Sequence, residues 1–379
     1  MKALIAGAGI GGLAAGIALR QAGLEVRIFE RSREMREIGA ALMIWPNGTR
    51  ALKALGVEVT ATAIDSLLLC DWHGRRLLDA PVRAIAERHG SDVAVLHRAD
   101  LQAALLKSLG REVVHLGADV SGFGEAGDQV RVQLRDGADD AGDLLIGADG
   151  LRSVVRRQLL ADGDPVYLGV SIWRGMVSSE GLALEPGHGI NWVGRGSEFL
   201  AIHLAGNRIY WAAVTKEPRG EDAGPGGHKE DVLNRFGSWA APIPALIGAT
   251  EPAAILRNDM YDRPPSPYWS RGRVTLVGDA AHPMTPNQGQ GACQALEDAV
   301  ALGASLEDAR DSGRAFEIYE KRRMHRAYRA VAMSRQASRG VHLENPVLCA
   351  IRDRLAMVLP NGLVMRMLDP VLAAEPART

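Results

Sequence analysis

The sequence predicts an α/β protein in which a Rossmann-type dinucleotide-binding unit is combined with an antiparallel sheet and a C-terminal helical segment. Three observations carry that prediction. The N-terminus reads as apolar strand, GxGxxG and helix. A second buried strand, VTLV at 274 to 277, runs into Gly278-Asp279 far down the chain. Between them, residues 190 to 214 alternate with the two-residue period of half-buried strands.

In chain order, ALIA at 3 to 6 is a short apolar run followed at once by Gly7-Ala8-Gly9-Ile10-Gly11-Gly12 and the helical pattern LAAGIALRQAG. Gly7 permits a tight turn, Gly9 lets backbone approach a pyrophosphate, and Gly12 allows close helix-to-strand packing. The helix start then offers unpaired N–H groups to phosphate. A second strand, EVRIFE, ends in Glu30, placed to bond ribose hydroxyls. This unit predicts a dinucleotide without choosing between NAD and FAD. Downstream, LHRADLQAALL starts a helix at Arg98 with Asp100 and Gln102 in its first turn. DLLIGADGLRSVVRRQL is an apolar strand ending at Gly147-Ala148-Asp149-Gly150, with Ser153 and Arg156 on the helix behind it.

Composition narrows the function classes. The 379 residues are 47% apolar and 23% charged, with a formal net charge of -1. No broad basic surface is expected for nucleic acid. Cys70, Cys293 and Cys349 are scattered without metal-ligand spacing, so neither a zinc site nor a disulfide framework is expected and a reducing cytoplasm fits. The apolar N-terminus reads as strand, turn and helix rather than a signal peptide. The apolar segment 355 to 374 is punctuated by Pro360, Gly362, Arg366, Asp369 and Pro370, which favours core cover or an oligomer contact over membrane attachment.

GAGIGG, IGADGLRSVVR and VGDAAHPMTPNQGQGACQALEDA, in this order and separation, resemble the three fingerprints of the single-component FAD-dependent aromatic hydroxylases, flavoprotein monooxygenases with the p-hydroxybenzoate hydroxylase fold. The resemblance covers nearly the whole chain. It implies one extended FAD held at both ends by turns far apart in sequence. Gly7, Gly9, Gly11, Gly12 and Glu30, with Arg31 and Val120 beside them, would take the ADP half. Arg98 and Gln102 would lie near the pyrophosphate, and Asp279 on the ribityl chain. Asp149 would support the FAD region and the transient NAD(P)H encounter while also suiting a helix cap. Gly289, Gly291 and Ala292 open a helix whose N–H groups can face the flavin pyrimidine edge, where reduced flavin is anionic. Pro286, with Pro283, would shape one wall beside the ring. The stretch 39 to 56 resembles the segment passing the isoalloxazine: Ala40 and Ala41 allow close approach, Leu42 and Ile44 form an apolar wall, and Asn47 caps the next helix. His282 is read as structural.

Residues 190 to 214 read as three antiparallel strands. With Gly206-Asn207 as a two-residue hairpin loop, His203 pairs with Tyr210. Trp192, Phe199, Ala201, His203, Tyr210 and Ala212 then share one face, and Val193, Leu200, Ile202, Leu204, Ile209, Trp211 and Ala213 the other. The first face suits a flat ring with polar substituents, so His203 and Tyr210 are the expected catalytic or orienting pair. Trp192, Phe199, Ala201 and Ile44 are the expected substrate contacts. Arg208 is either a carboxylate clamp or a solvated turn arginine.

The resemblance further implies that NADH or NADPH reduces FAD, that O2 adds at flavin C4a, and that the resulting hydroperoxide hydroxylates an electron-rich aromatic or heteroaromatic ring, with no metal involved. The protein's part is to position the ring and exclude water. Expected partners are a small aromatic substrate and O2, with no nucleic acid and no membrane, the chain acting as monomer or homodimer. A halogenase of the same fold would bring a WxWxIP stretch that the sequence lacks. A prenyl reductase fits the polar pocket less well, a flavin-free NAD dehydrogenase leaves GDAAHP unexplained, and a silent aromatic-ligand flavoprotein stays open. The expected FAD-binding domain is discontinuous, residues 1–66, 95–163 and 270–335. It interweaves with a substrate sheet at 67–94 and 164–269 and is followed by a C-terminal helical segment at 336–379. The tract 215 to 231 is expected to be a surface loop.

Overall fold

A computed structural model describes residues 1–35, 40–220, 223–224, 226–309 and 311–373. Gly39 of the expected ring-side segment, three residues of the 215 to 231 tract, and residues 374 to 379 lie outside the described residues. The N-terminal strand Lys2–Ala6 is central in a five-stranded parallel sheet, ordered Val274–Leu276, Leu144–Gly147, Lys2–Ala6, Glu25–Glu30, Val114–Leu116. Ala3, Leu4, Ile5 and Ala6 are all fully buried, the unbroken apolar run that a strand covered on both faces requires. The helix Ile10–Gln21 packs on the later helix Gly291–Asp308. Their close approach is set by small residues: a Cβ at Gly303 would lie 3.0 Å from Ala18 Cβ, and one at Gly11 would lie 3.6 Å from Ala295 Cβ.

The second large element is a seven-stranded sheet ordered Leu256–Asp262, Val166–Ser178, Arg208–Lys216, Ser197–Leu204, His188–Val193, Ser66–Asp71, Arg76–Ala80. Its pairs are antiparallel except that His188–Val193 runs parallel to Ser66–Asp71. One face lies on the parallel-sheet body, where Ile202, Leu204, Tyr210 and Ala212 join the main core. The other carries a separate core of Trp173, Trp192, Phe199, Ala201, Ile209 and Trp211, closed by the helices Gly227–Phe236 and Ile243–Ala249.

The register corrects the expected faces. Leu204 pairs with Arg208 and Ile202 with Tyr210, so the turn is the three-residue loop Ala205-Gly206-Asn207, with Gly206 and Asn207 both in the left-handed region. One added loop residue slips the pairing by one and sends each side chain of the following strand to the opposite face. His203, Trp192, Phe199 and Ala201 therefore share the helix-covered face with Ile209 and Trp211. Tyr210 and Ala212 share the body-facing side with Leu200 and Ile202.

A 30-residue helix, Ser312–Val341, backs the helix Gly291–Asp308, and two shorter helices, Pro346–Val358 and Asn361–Leu372, finish the described chain. These last two bury Cys349, Val371 and Leu372 but leave Val347, Ile351, Leu355 and Val358 exposed, so core cover accounts for only part of their apolar character. Among the described residues no single helix is long and apolar enough to cross a membrane. The 215 to 231 tract departs from a simple loop, because its start completes a strand ending at Lys216 and its end enters the helix Gly227–Phe236.

Candidate functional site

Four of the parallel strands end at one edge, and each delivers a motif there. The strand Lys2–Ala6 leads into Gly7, Glu25–Glu30 ends on Glu30, Leu144–Gly147 leads to Asp149, and Val274–Leu276 leads to Gly278-Asp279. The register Ala6 to Gly147 and Gly147 to Leu276 sets them level. Ligands of open parallel sheets sit at this carboxyl edge.

A groove of about 980 Å³ opens along it, lined by Gly7, Gly9, Glu30, Arg31, Arg98, Gln102, Val120 and Asp149 among others. The three glycines of GxGxxG have separable reasons. Gly7 is left-handed at φ +99°, and a Cβ there would lie 2.5 Å from the Ala148 carbonyl oxygen. At Gly12 a Cβ would lie 1.9 Å from the Gly7 oxygen, so the turn itself excludes a side chain. Gly9 has ordinary extended backbone and no protein atom within 4 Å of where its Cβ would be. A glycine that the chain does not need, in the wall of a groove at a helix N-terminus, fits a phosphate-bearing ligand laid against the backbone.

Glu30 is held by its own turn, accepting from Ala8 N and Ser32 N at 2.9 Å each. Gln102 Nε2 donates to the Ala8 carbonyl at 2.9 Å and so braces the loop rather than standing free. Arg98 begins the helix Arg98–Leu109, its backbone N–H bonded to Ala40 O. Among the described residues no hydrogen bond or ion pair takes up its guanidinium. Burial pulls its pKa down, while Asp279 and Glu30 pull it up. Asp149 accepts from the Ser153 hydroxyl and from the amides of Val154 and Val155, so it caps a helix while lining the groove. Burial pushes its carboxyl up against those hydrogen bonds.

At the far end Asp279 is exposed at its own surface yet surrounded by protein, the situation of a group on a cavity floor, and this enclosure pushes its carboxyl up against the charges of His282 and Arg98. A Cβ on Gly291, first residue of the helix Gly291–Asp308, would stand 4.0 Å from Asp279 Oδ1. Pro286 opens the preceding 3-10 turn and Gly289 closes it at φ +60°, with Ala292 half-buried just beyond. The groove, Gly9 against open space, Arg98 without a side-chain partner among the described residues, and the enclosed Asp279 together fit FAD.

The turn at Asp279 is locked from behind. His282 Nε2 lies 2.5 Å from Asp298 Oδ2, which also accepts from Gly278 N at 2.9 Å, and Arg323 Nε donates to Asp298 Oδ1 at 2.8 Å. Burial alone would raise the Asp298 pKa, but His282 and Arg323 hold it at about 2. His282 is thus a strut, as expected from sequence. Arg156, fully buried, donates to the carbonyls of Ala280 and Ala281, a role that its place in the second motif did not disclose.

Over this turn lies the body-facing side of the seven-stranded sheet. Tyr210 is buried there, its hydroxyl pushed up to about 12 by burial against the Arg174 charge and hydrogen bond. His203 is on the far face, a correction that follows from the register, and Trp192, Phe199 and Ala201 go with it. Ile44 is also displaced: it lines a separate groove with Leu52 and Leu96, while Met43 lies 3.1 Å from where a Gly289 Cβ would be. Ala41, half-buried, pairs with His97. Arg208 stands beside the turn as a partly exposed arginine, bonding Ala205 O at 3.1 Å and facing the exposed Asp100 at 3.4 Å, which agrees with a solvated turn arginine rather than a clamp. Asn47 does not cap its helix, whose N-cap is Trp45. Its amide instead donates to Gln290 Oε1 at 3.0 Å, fastening the ring-side segment to the cofactor loop. Sequence reasoning missed Glu198, a buried acid among apolar strand residues; the slipped register concealed which face it occupies.

The family described as FAD binding domain matches residues 1–334. The chain is 39% identical over 369 residues to aurachin C monooxygenase/isomerase of Stigmatella aurantiaca, covering 96% of each. It is 35% identical over 343 residues to an FAD-dependent urate hydroxylase of Klebsiella pneumoniae, covering 89% of each. The crystal structure of Klebsiella pneumoniae HpxO complexed with FAD and uric acid superposes with a TM-score of 0.92 at 32% identity, over 98% of this chain and 97% of that one.

Proposed function

The chain belongs to the FAD binding domain family, its close relatives are FAD-dependent monooxygenases, and on that premise we propose that it hydroxylates a small aromatic or heteroaromatic ring using O2 and NADH or NADPH. The convergence of Gly9, Glu30, Asp149 and Asp279 at one sheet edge carries the cofactor half of this reading. FAD, once reduced, supplies the activated oxygen. The chain's own work is positional. The Gly7 to Gly12 turn and Arg98 hold the diphosphate. The first turn of Gly291–Asp308 offers N–H groups to the pyrimidine edge, where negative charge is stabilised. The apolar sheet face of Leu200, Ile202 and Ala212 covers the ring cavity and excludes water, and Tyr210 supplies a neutral hydroxyl there.

Uric acid bound to HpxO supports a heteroaromatic ring as the substrate class. Three unpaired, buried cysteines support a reducing cytoplasm. The test is an absorption spectrum of the purified protein, then oxidation of NADH and NADPH with a panel of hydroxylated and amino-substituted rings and N-heterocycles. Bound flavin with ring-stimulated oxidation and an oxygenated product is the expected result. Flavin without ring-stimulated turnover points instead to a silent ligand-binding flavoprotein, and failure to take up added FAD removes the cofactor reading.

A further inference from the structure

Glu198 lies on the body-facing side of the seven-stranded sheet, in line with Leu200 and Ile202, and is 7% exposed. It makes no ion pair with any described residue. Its partners are two neutral amides: Asn287 Nδ2 donates to Oε1 at 2.8 Å and Asn191 Nδ2 to Oε2 at 3.2 Å. Asn287 belongs to the Pro286–Gln288 turn that leads into the cofactor-facing helix, so the trio sits where the substrate sheet meets the cofactor loop. The carbonyl oxygens of both asparagines, Asn191 Oδ1 and Asn287 Oδ1, are buried without a hydrogen-bond partner. Their orientation follows from the carboxyl, which draws both amide nitrogens toward itself. The result is a buried patch with more acceptors than donors. An unpaired acceptor is costly in an apolar surround, and a ligand carrying donors would satisfy both.

We propose that Glu198, Asn191 and Asn287 form the polar wall of the ring cavity and bind the donor-bearing edge of the substrate, a ring N–H or an N–H next to a hydroxyl. The inference rests on the hydroxylase reading and adds the substrate class to it. A nitrogen heteroaromatic brings donors to three acceptor groups. A benzoate-type ring carboxylate brings further acceptors and a like charge to this wall, whose described partners are two neutral amides, while the cation on the same sheet face, Arg174, stands at the Tyr210 hydroxyl. Burial pushes the Glu198 carboxyl up against its amide hydrogen bonds, so the wall gains a donor as pH falls and becomes anionic as it rises.

The experiment uses the FAD-loaded protein. It is titrated with uric acid, 2,6-dihydroxypyridine, salicylate and 3-amino-4-hydroxybenzoate, reading the perturbation of the flavin spectrum across pH, and repeated on Glu198→Gln and Asn287→Ala. The expected result is that the two N–H heteroaromatics bind at least about tenfold more tightly than the two carboxylates, the worth of one good hydrogen bond. Glu198→Gln should erase most of that preference and flatten the pH dependence of heteroaromatic binding at unchanged FAD content. Equal or better binding of the carboxylates overturns the proposal, as does a wild-type preference and pH profile in Glu198→Gln, and as does an absence of binding by all four rings. The hydroxylase reading fails separately, through a protein that takes up no FAD or whose NAD(P)H oxidation no ring stimulates.

Discussion

Arg156 donates to the carbonyl oxygen of Ala281 at 2.8 Å, and so fastens the second motif of the chain to the third across 125 positions of sequence. The same guanidinium reaches Ala280 O at 3.1 Å and Asp162 at 2.7 Å. It fixes the backbone just behind Asp279, so its loss should be felt at the flavin end of the groove. Arg156→Met removes the donor to the carbonyls of Ala280 and Ala281, leaves Asp162 with Arg263 alone, and is expected to cost about 3 to 5 kcal/mol of stability. Urea unfolding of the apoprotein measures that loss, and equilibrium dialysis against FAD should show weaker retention. Wild-type FAD affinity in a folded variant would mean that the link is dispensable to the site.

The glycines of the first turn make a sharper comparison. A Cβ at Gly12 meets the Gly7 carbonyl oxygen within its own turn, so Gly12→Ala should destabilise the apoprotein by about 1 to 3 kcal/mol or more, as overpacking does. A Cβ at Gly9 meets no protein atom, and the only internal penalty is the weaker helix cap, about 1 kcal/mol at most. Gly9→Ala should therefore melt close to wild type without FAD yet lose most FAD affinity. If it bound FAD normally, the open space at Gly9 would not be where the diphosphate lies.

Asp298 gives a pH dependence with a definite sign. Its folded pKa of about 2 lies below the roughly 3.9 of an unfolded aspartate. The stability it contributes is complete above the unfolded value and is lost as pH falls through the folded one, a window of about pH 4 to 2. Asp298→Asn removes one of the two carboxylates paired with Arg323, leaving Glu297, and should cost about 1 to 3 kcal/mol near neutrality. Acid titration should then show a shallower decline for the variant than for wild type across that window. Parallel acid limbs would show that the carboxylate is not the source.

Much of this architecture was legible because it is written locally. The buried run Ala3 to Ala6 and the glycines behind it specify strand, turn and helix within a dozen residues, and Glu30 follows at the end of the next strand. The distant Gly278-Asp279 turn was readable as a second anchor because a strand ending in a glycine is local too. What sequence did not disclose depends on a single loop residue or on contacts across the fold. Reading a two-residue loop between Ala205 and Arg208 in place of the three-residue loop between Leu204 and Arg208 exchanged the faces of a whole strand, taking His203 toward the cavity and hiding Glu198. Asn47 looked like a cap because the residue type suits one, but Pro46 takes the first helical position and leaves Asn47 reaching for Gln290. Arg156 is one of several arginines in its motif, and only the fold shows which one is fully buried.

The corrected register separates two residues that the uncorrected one joined. Tyr210 lies on the cavity side and, with its hydroxyl pushed up to about 12, stays a neutral donor throughout any working pH range. Tyr210→Phe removes that donor and should lower kcat/KM by about tenfold, the worth of one hydrogen bond, while the pH profile keeps its shape because no tyrosyl ionisation contributed to it. His203 faces the Trp211 and Phe199 core instead. His203→Gln disturbs packing there, so it should lower the melting temperature while leaving turnover of the folded protein within about twofold, as expected of a site that shares no partner with the ring. Steady-state NAD(P)H oxidation with any stimulating ring measures both. A large loss for His203→Gln at full FAD content, with Tyr210→Phe near wild type, would restore the two-residue hairpin pairing and with it the opposite assignment of faces.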